Sequence, residues 1–277
     1  MAPQSSLPLG IDVGGSGIKG APVDLATGQL TAERLRIETP QPSTPEAVVG
    51  VIAQIVDAFA DQVGPTAPIG ITIPGVVMRG VVKTAANIDK GWIDCDMEKL
   101  VEDRLQRDVV VVNDADAAGV GELHYGAAKG HEGLVIMTTL GTGIGSAVIH
   151  EGRLVPNSEY GHLEIDGHNA ESRAAASAKK REGLSWEQYA ERLSRYYQFL
   201  ESVTWPDLFV IGGGVSKKPE KFLHLIECRT PVIAATRANE AGIIGAAAIL
   251  LCVTGGIQIK HDLDAGENFG FKSLCTA

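Results

Sequence analysis

Aromatic side chains are scarce here, at 5 % of 277 residues, and cations are outnumbered, with 24 Lys and Arg against 34 Asp and Glu. A net charge of −10 and a pI near 5.2 leave no broad basic surface, which argues against a general nucleic-acid partner. Cysteine is rare as well: Cys95, Cys228, Cys252 and Cys275 form no CxxC pair and no dense framework. That usage excludes a disulfide-stapled fold and leads us to expect a reduced, cytoplasmic protein. The longest apolar run, near 241–253, contains glycine and is shorter than a membrane span. No basic segment followed by an apolar run opens the chain, so neither a signal peptide nor a membrane partner is expected.

Glycine, in contrast, is plentiful at 33 residues, in a chain otherwise rich in Val, Ile and Ala. This reads as an α/β protein with close backbone approaches, long enough for one large domain or two modest ones. LGIDVGGSGIKGAPVD (9–24) reads as strand, glycine turn, strand, and GLVIMTTLGTGIGSAVIHEGRLV (133–155) repeats that layout. LFVIGGGVS (208–216) reads as a strand whose glycines open a helix. Further strands are expected at 33–39, 69–77, 109–114 and 231–236. Helices are expected at 43–63, with Thr44 as N-cap and Pro45 at the first turn, and at 96–106, 115–126, 171–182, 185–202 and 240–253. The tail 254–277 shows no period and reads as loop. Two hairpins, each followed by helix and strand, suggest two similar α/β halves facing a cleft.

The glycine turns matter because a backbone without side chains lets N–H groups approach a phosphate closely. The first turn offers Gly14, Gly15, Ser16 and Gly17, with Lys19 as a counter-charge. The second offers Gly141, Thr142 and Gly143, and the third offers Gly213. Taken singly, each is equally well a tight turn. None fits the GxxxxGK[ST] loop or a strand–GxGxxG–helix unit. Among the polar residues, Asp114 stands between a buried strand and a helix, as a helix cap or as a general base. Asp116 reads as structural. Asp12 ends the first strand, as a turn former or as a carboxylate for Mg²⁺, held through water. Glu159 and His162 are three apart and share one turn face, suited to adjacent hydroxyls.

In order along the chain, DVGGSGIKG, IPGVV (73–77), NDADAA (113–118), LGTGIG, EYGHLEID (159–166) and GGG resemble the motifs of the actin/hexokinase superfamily. Within it they resemble the ROK sugar kinases (repressor, open reading frame, kinase), over residues 8 to 250. The resemblance implies two actin/hexokinase-like α/β domains flanking a central cleft. We expect a small domain of 1–113 with about 238–277 and a large domain of 114–237. It implies Asp114 as catalytic base, with Gly75, Asn87, Asn113, Glu159, His162 and Glu171 around a hexose. It implies Mg²⁺ at Asp12 and a phosphoryl donor on the glycine turns. Many ROK proteins bind zinc through three cysteines after the EYGH-like motif. This chain has no Cys between Cys95 and Cys228, so no zinc site is expected.

In the place of those cysteines stands AESRAAASAKKREG (170–183), a basic, helix-prone run in an acidic chain. It reads either as a solvated helix face or as a track for a polyanion, with Lys179, Lys180 and Arg181 as donor contacts. It resembles the polyphosphate-dependent glucokinases of the ROK family. That implies transfer from inorganic polyphosphate or ATP to the 6-hydroxyl of glucose, and of mannose, by a monomer or homodimer. Two alternatives stay open: an ATP-only kinase of another hexose, and a sugar-responsive regulator. The latter would need a DNA-binding domain ahead of the first strand.

Overall fold

The computed structural model describes residues 7–85, 88–237 and 240–251; Asn87 and the tail 254–277 lie outside the described residues. The chain divides into two compact units, one running to Ala117 and resuming at Gly242, the other running from Ala118 to Ala241.

The first unit is built on β1 (Leu9–Val13), β2 (Ile18–Asp24), β3 (Gln29–Leu30), β4 (Leu35–Ile37) and β5 (Ile69–Ile73). A two-stranded ribbon of β6 (Val77–Met78) and β7 (Val81–Val82) precedes β8 (Val109–Asn113). The main sheet runs β3-β2-β1-β5-β8, with β4 also on β2; β1 pairs antiparallel with β2, while β1, β5 and β8 are parallel. Helices α1 (Pro45–Ala58), α2 (Ala60–Val63) and α3 (Met97–Leu105) supply Val48, Ile52, Ile55, Val63, Met97 and Val101 to a core shared with Ile11, Ile71 and Val111. A further helix, 241–251, lies against the strands so closely that a Cβ on Gly70 would meet the Ala246 carbonyl oxygen at 1.7 Å. Only glycine permits that approach.

Thr44 caps α1 as expected, accepting the Ala47 N–H at 3.3 Å with Pro45 in the first turn. The single helix expected over 43–63 is interrupted at Phe59 (φ −111°, ψ 13°). The Phe59 ring is buried in the same core as Val63, so packing overrides the periodic pattern there.

Helix α4 (Asp114–Tyr125) leads into the second unit. Its strands are β9 (Leu134–Leu140), β10 (Ile144–His150) and β11 (Arg153–Val155), then the ribbon β12 (Glu164–Ile165) and β13 (His168–Asn169), then β14 (Leu208–Gly213) and β15 (Val232–Ala234). The sheet order is β11-β10-β9-β14-β15, with β9–β10 antiparallel and β9, β14 and β15 parallel. Helices α5 (Ala170–Ala174), α6 (Ala176–Glu182) and α7 (Trp186–Thr204) cover it. Most of the scarce aromatics gather here: Tyr189, Tyr196, Tyr197, Phe209 and Phe222 are all at or below 2 % exposure in one core. The Tyr197 hydroxyl shares a 2.6 Å hydrogen bond with Thr138 on β9, which satisfies both buried groups.

Two expectations are corrected in this unit. The helix expected over 171–182 is two, because Ala175 is extended (φ −66°, ψ 155°). The break lets Ser177 bond the second glycine turn, and those tertiary bonds outweigh the alanine-rich propensity. The helix expected after GGG is a set of short 3₁₀ turns, Gly214–Lys217, Pro219–Lys221 and Leu223–Leu225. Pro219 disfavours helical geometry at Lys218, whose ψ is 52°.

Candidate active site

In the first unit, strand register places the chemistry. Asp12 on β1 stands opposite Lys19 on β2 and Thr72 on β5. Its carboxylate accepts from Lys19 Nζ at 3.3 Å and from Thr72 Oγ1 at 3.0 Å. Lys19 is thus tied to Asp12 at the mouth of the first glycine turn. In that turn Gly14 N–H donates to Gly17 O, and Thr39 donates to Gly14 O. The N–H groups of Gly15, Ser16 and Gly17 find no acceptor among the described residues. Sequence reading missed Arg36. It lies on β4 opposite Lys19, donates to Ser16 O at 2.8 Å and lies against Gly17. Only the β2–β4 pairing brings it there, and no motif announces that pairing.

The C-terminal ends of parallel strands are where α/β sheets present ligand groups. Asn113 ends β8, and Asp114 begins α4. The capping role is filled by Asn113: its Oδ1 accepts the N–H groups of Ala115 (2.9 Å) and Asp116 (3.1 Å). Its Nδ2 donates to the Gly75 carbonyl at 3.1 Å, so Asn113 also fixes the IPGVV loop. Asp114 Oδ1 accepts from Ala115 N at 2.8 Å, and the residue is half-buried. Asp116 is 2 % exposed, consistent with a structural residue. In that neighbourhood Thr84 Oγ1 accepts from Val76 N at 2.9 Å, steadying the loop that carries Gly75.

In the second unit, Glu159 Oε2 lies 3.5 Å from His162 Nε2 across a one-turn 3₁₀ segment. This segment is clipped to β10 by Ser146, whose buried hydroxyl accepts from Tyr160 N at 2.9 Å and donates to Ser158 O. Ser146 carried no sequence signal beyond its place on a strand. Burial raises the Glu159 pKa above the usual glutamate value, with His162 opposing that and Glu171 adding to it. Glu171 is therefore brought to the same group as Glu159 and His162. Its Oε2 also accepts from Ile144 N at 3.2 Å and fills the space where a Cβ on Gly143 would stand.

The second glycine turn is braced from 170–183. Ser177 N–H donates to Gly141 O at 3.0 Å, and Ser177 Oγ donates to Thr142 O at 2.6 Å. The N–H groups of Thr142 and Gly143 have no acceptor among the described residues. Gly213 pairs in register with Leu140, so GGG meets this turn directly. Its φ of +80° and the 2.5 Å a Cβ would leave to Leu140 O both require glycine.

The three cations singled out in KKR differ. Lys179 Nζ donates to Leu184 O at 2.6 Å and sits 4.4 Å over the Trp186 ring. Arg181 donates to Ser172 O and to Glu182. Lys180 is exposed with no partner among the described residues. Among the described residues, no group of three or more His, Cys, Asp or Glu is arranged to hold a metal ion, and no helix is long and apolar enough to cross a membrane.

Comparison with known proteins gives a consistent picture. The model of the ROK family matches residues 8–178. A polyphosphate glucokinase of Mycobacterium tuberculosis is 52 % identical over 240 residues, covering 86 % of this chain and 89 % of the relative. The crystal structure of an inorganic polyphosphate/ATP-glucomannokinase from Arthrobacter sp. strain KM superposes with a TM-score of 0.85 at 49 % identity, covering 90 % of this chain and all of the other. A ROK-family glucokinase from Streptomyces griseus, in complex with glucose and AMPPNP, matches with a TM-score of 0.73 at 26 % identity over 88 % of this chain and 98 % of its own.

Proposed function

The chain belongs to the ROK family, and on that footing we propose that it transfers a phosphoryl group from inorganic polyphosphate or ATP to the 6-hydroxyl of glucose, and of mannose. The identities of 52 % and 49 %, over most of the chain, to a polyphosphate glucokinase and to a polyphosphate/ATP-glucomannokinase support the donor and the hexose. The single observation carrying the mechanism is the placement of Asp114 at the carboxyl end of the parallel strand β8, where α/β sheets present ligand groups, beside an Asn113 that ties the IPGVV loop to the same strand end.

In this reading Asp114 accepts the proton of the 6-hydroxyl as that oxygen attacks the terminal phosphorus. The phosphoanhydride bond breaks, and the donor leaves one phosphate shorter. The free N–H groups at Gly15, Ser16 and Gly17, and at Thr142 and Gly143, receive phosphate oxygens as charge develops. Lys19 neutralises phosphate charge at the first turn, and Gly213 shapes the second. The hexose hydroxyls fall to Glu159, His162, Glu171, Asn113, Asn87 and the backbone at Gly75.

The donor set also fits Mg²⁺. Asp12 is one partly exposed carboxylate beside an anion-binding turn, and Mg²⁺ typically takes one or two carboxylates, waters and substrate phosphates. Asp12 would hold it through water, and the ion would neutralise phosphate charge. Cys95 and Cys228 are both free thiols, which supports a reducing, cytoplasmic setting.

Asp114→Asn tests the base. We expect kcat to fall by roughly 100-fold or more with either donor, while glucose still binds by calorimetry. Near-normal turnover in that variant would remove Asp114 from the role.

A further inference from the structure

Helix α5 does two kinds of work. Glu171 braces Ile144 and Gly143 of the second glycine turn. Ala170, Arg173 and Ala174 form one wall of a hollow of about 110 Å³. Helix α7 supplies the opposite wall with Arg192, Arg195 and Tyr196, and the β12–β13 ribbon supplies Asp166 and His168. The floor is apolar and buried, while three guanidinium groups and one imidazole face one carboxylate around the rim. That is a local excess of positive charge in a chain of net charge −10.

The arginines are differently occupied. Arg195 forks onto Asp166 at 2.6 and 2.8 Å. Arg192 is held from behind, donating to Arg173 O at 3.3 Å and pairing with Glu182. Arg192 and then Arg181 hold the Glu182 carboxyl down to about 2, so this anchor stays ionised at neutral pH. The Arg173 guanidinium has no partner among the described residues. Arg173 is exposed and lines the same hollow as Arg192, whose guanidinium is already fixed in place, and such forks match phosphate oxygens two at a time.

We propose that this hollow is a second polyphosphate subsite, which grips the donor chain several phosphates away from the reacting end. The inference rests on the polyphosphate reading of the donor. The second glycine turn and the hollow both adjoin α5, with Glu171 meeting the turn and Arg173, two residues on, lining the hollow. A nucleoside triphosphate bound by its phosphates at the turn has no further phosphates to carry on past α5 into the hollow. A long polyphosphate does. The subsite therefore reads chain length and is indifferent to ATP. Of KKR, Lys179 and Arg181 have partners within the protein, as Arg192 and Arg195 do in the hollow.

The test is steady-state kinetics on glucose with long-chain polyphosphate, tripolyphosphate and ATP, for wild type, Arg173→Glu and Arg173→Gln. In the wild type, KM expressed per chain should fall from tripolyphosphate to long chains. In both variants KM for long chains should rise about tenfold, while tripolyphosphate and ATP stay within about twofold. Long-chain KM unchanged in the variants, or an equal loss on all three donors in both, overturns the subsite. If the wild type uses ATP but no polyphosphate of any length, the donor reading fails, and the subsite with it.

Discussion

The two units share a scaffold and differ in what they hang on it. Each has an antiparallel hairpin whose first strand continues into two parallel neighbours, β2-β1-β5-β8 in one and β10-β9-β14-β15 in the other. Each hairpin turns through glycines. The register then separates them: Asp12 stands opposite Lys19 in the first unit, and the equivalent pair in the second, one residue before the turn-closing pair, is Thr139 opposite Gly145. The first turn is set by charge, with Asp12, Lys19 and Arg36 around it. The second is set by neutral and acidic braces, Ser177 and Glu171 from 170–183 and Gly213 from β14. Similar backbone thus gives two glycine turns, and at the matching register row only the first carries an Asp–Lys pair.

The largest effect should come from breaking that row. Asp12→Asn removes the charge proposed to hold Mg²⁺ while keeping the shape that meets Lys19 and Thr72. We expect kcat with Mg²⁺ to fall by roughly 100-fold with both polyphosphate and ATP. Thr139→Val, the matching change in the second unit, should cost about threefold or less. Equal losses at the two positions would mean that the register row does not distinguish the units.

A smaller and pH-dependent effect is expected at Glu159. Burial first, and Glu171 after it, raise its pKa, against the pull of His162. The native state therefore favours the protonated carboxyl, a preference that contributes stability below the unfolded pKa and is lost as pH rises through the native one. Sugar recognition asks for the opposite state, because an ionised carboxylate accepts hydroxyl hydrogen bonds more strongly. KM for glucose should thus rise as pH falls, beginning at a higher pH than for an ordinary glutamate. Glu159→Gln should flatten that limb of the profile and raise KM at neutral pH without lowering the melting temperature. A wild-type KM that is constant through the acid range, or a Gln variant that melts earlier, would contradict the assignment.

Much of this comparison was legible in the sequence, and the illegible part has a pattern. The glycine turns, the Thr44 cap and the strands into Asp12 and Asn113 could be read because each is a local signal. Glycine, Pro after a capping Thr, and a β-branched run report on their own neighbours. Arg36 and Ser146 could not be read, because each acts through a partner on another strand or loop. Asp114 was legible as a position, whereas the cap made by Asn113 appears only once the side-chain bonds are seen. The single helix expected over 171–182 failed for the same reason. Its alanines read as one helix, but bonds from Ser177 to residues 141 and 142 break it at Ala175 and turn it into a brace.

That brace gives the smallest expected effect and the sharpest contrast with the charged first turn. Lys179 closes the C-terminal end of α6 by donating to Leu184 O, and its ammonium lies over Trp186, which itself stacks on Phe222 with ring centroids 5.7 Å apart. Its place in the fold is at a helix end that α7 follows within a few residues. Removing it should loosen the α6–α7 corner and cost about 1 kcal/mol, a drop of roughly 2–4 °C in melting temperature. Lys180→Ala, which removes an equal charge without a partner, should leave melting unchanged. Calorimetric melting of the two single variants, beside kinetics with polyphosphate and ATP, separates structure from donor contact. A Lys179→Ala protein that melts like the wild type yet loses polyphosphate selectively would make this lysine a donor ligand. A Lys180→Ala protein with that selective loss would place part of the track at KKR. The expected pattern, a thermal cost at one lysine and silence at its neighbour, makes the second glycine turn a structure held by packing and hydrogen bonds, where the first is held by charge.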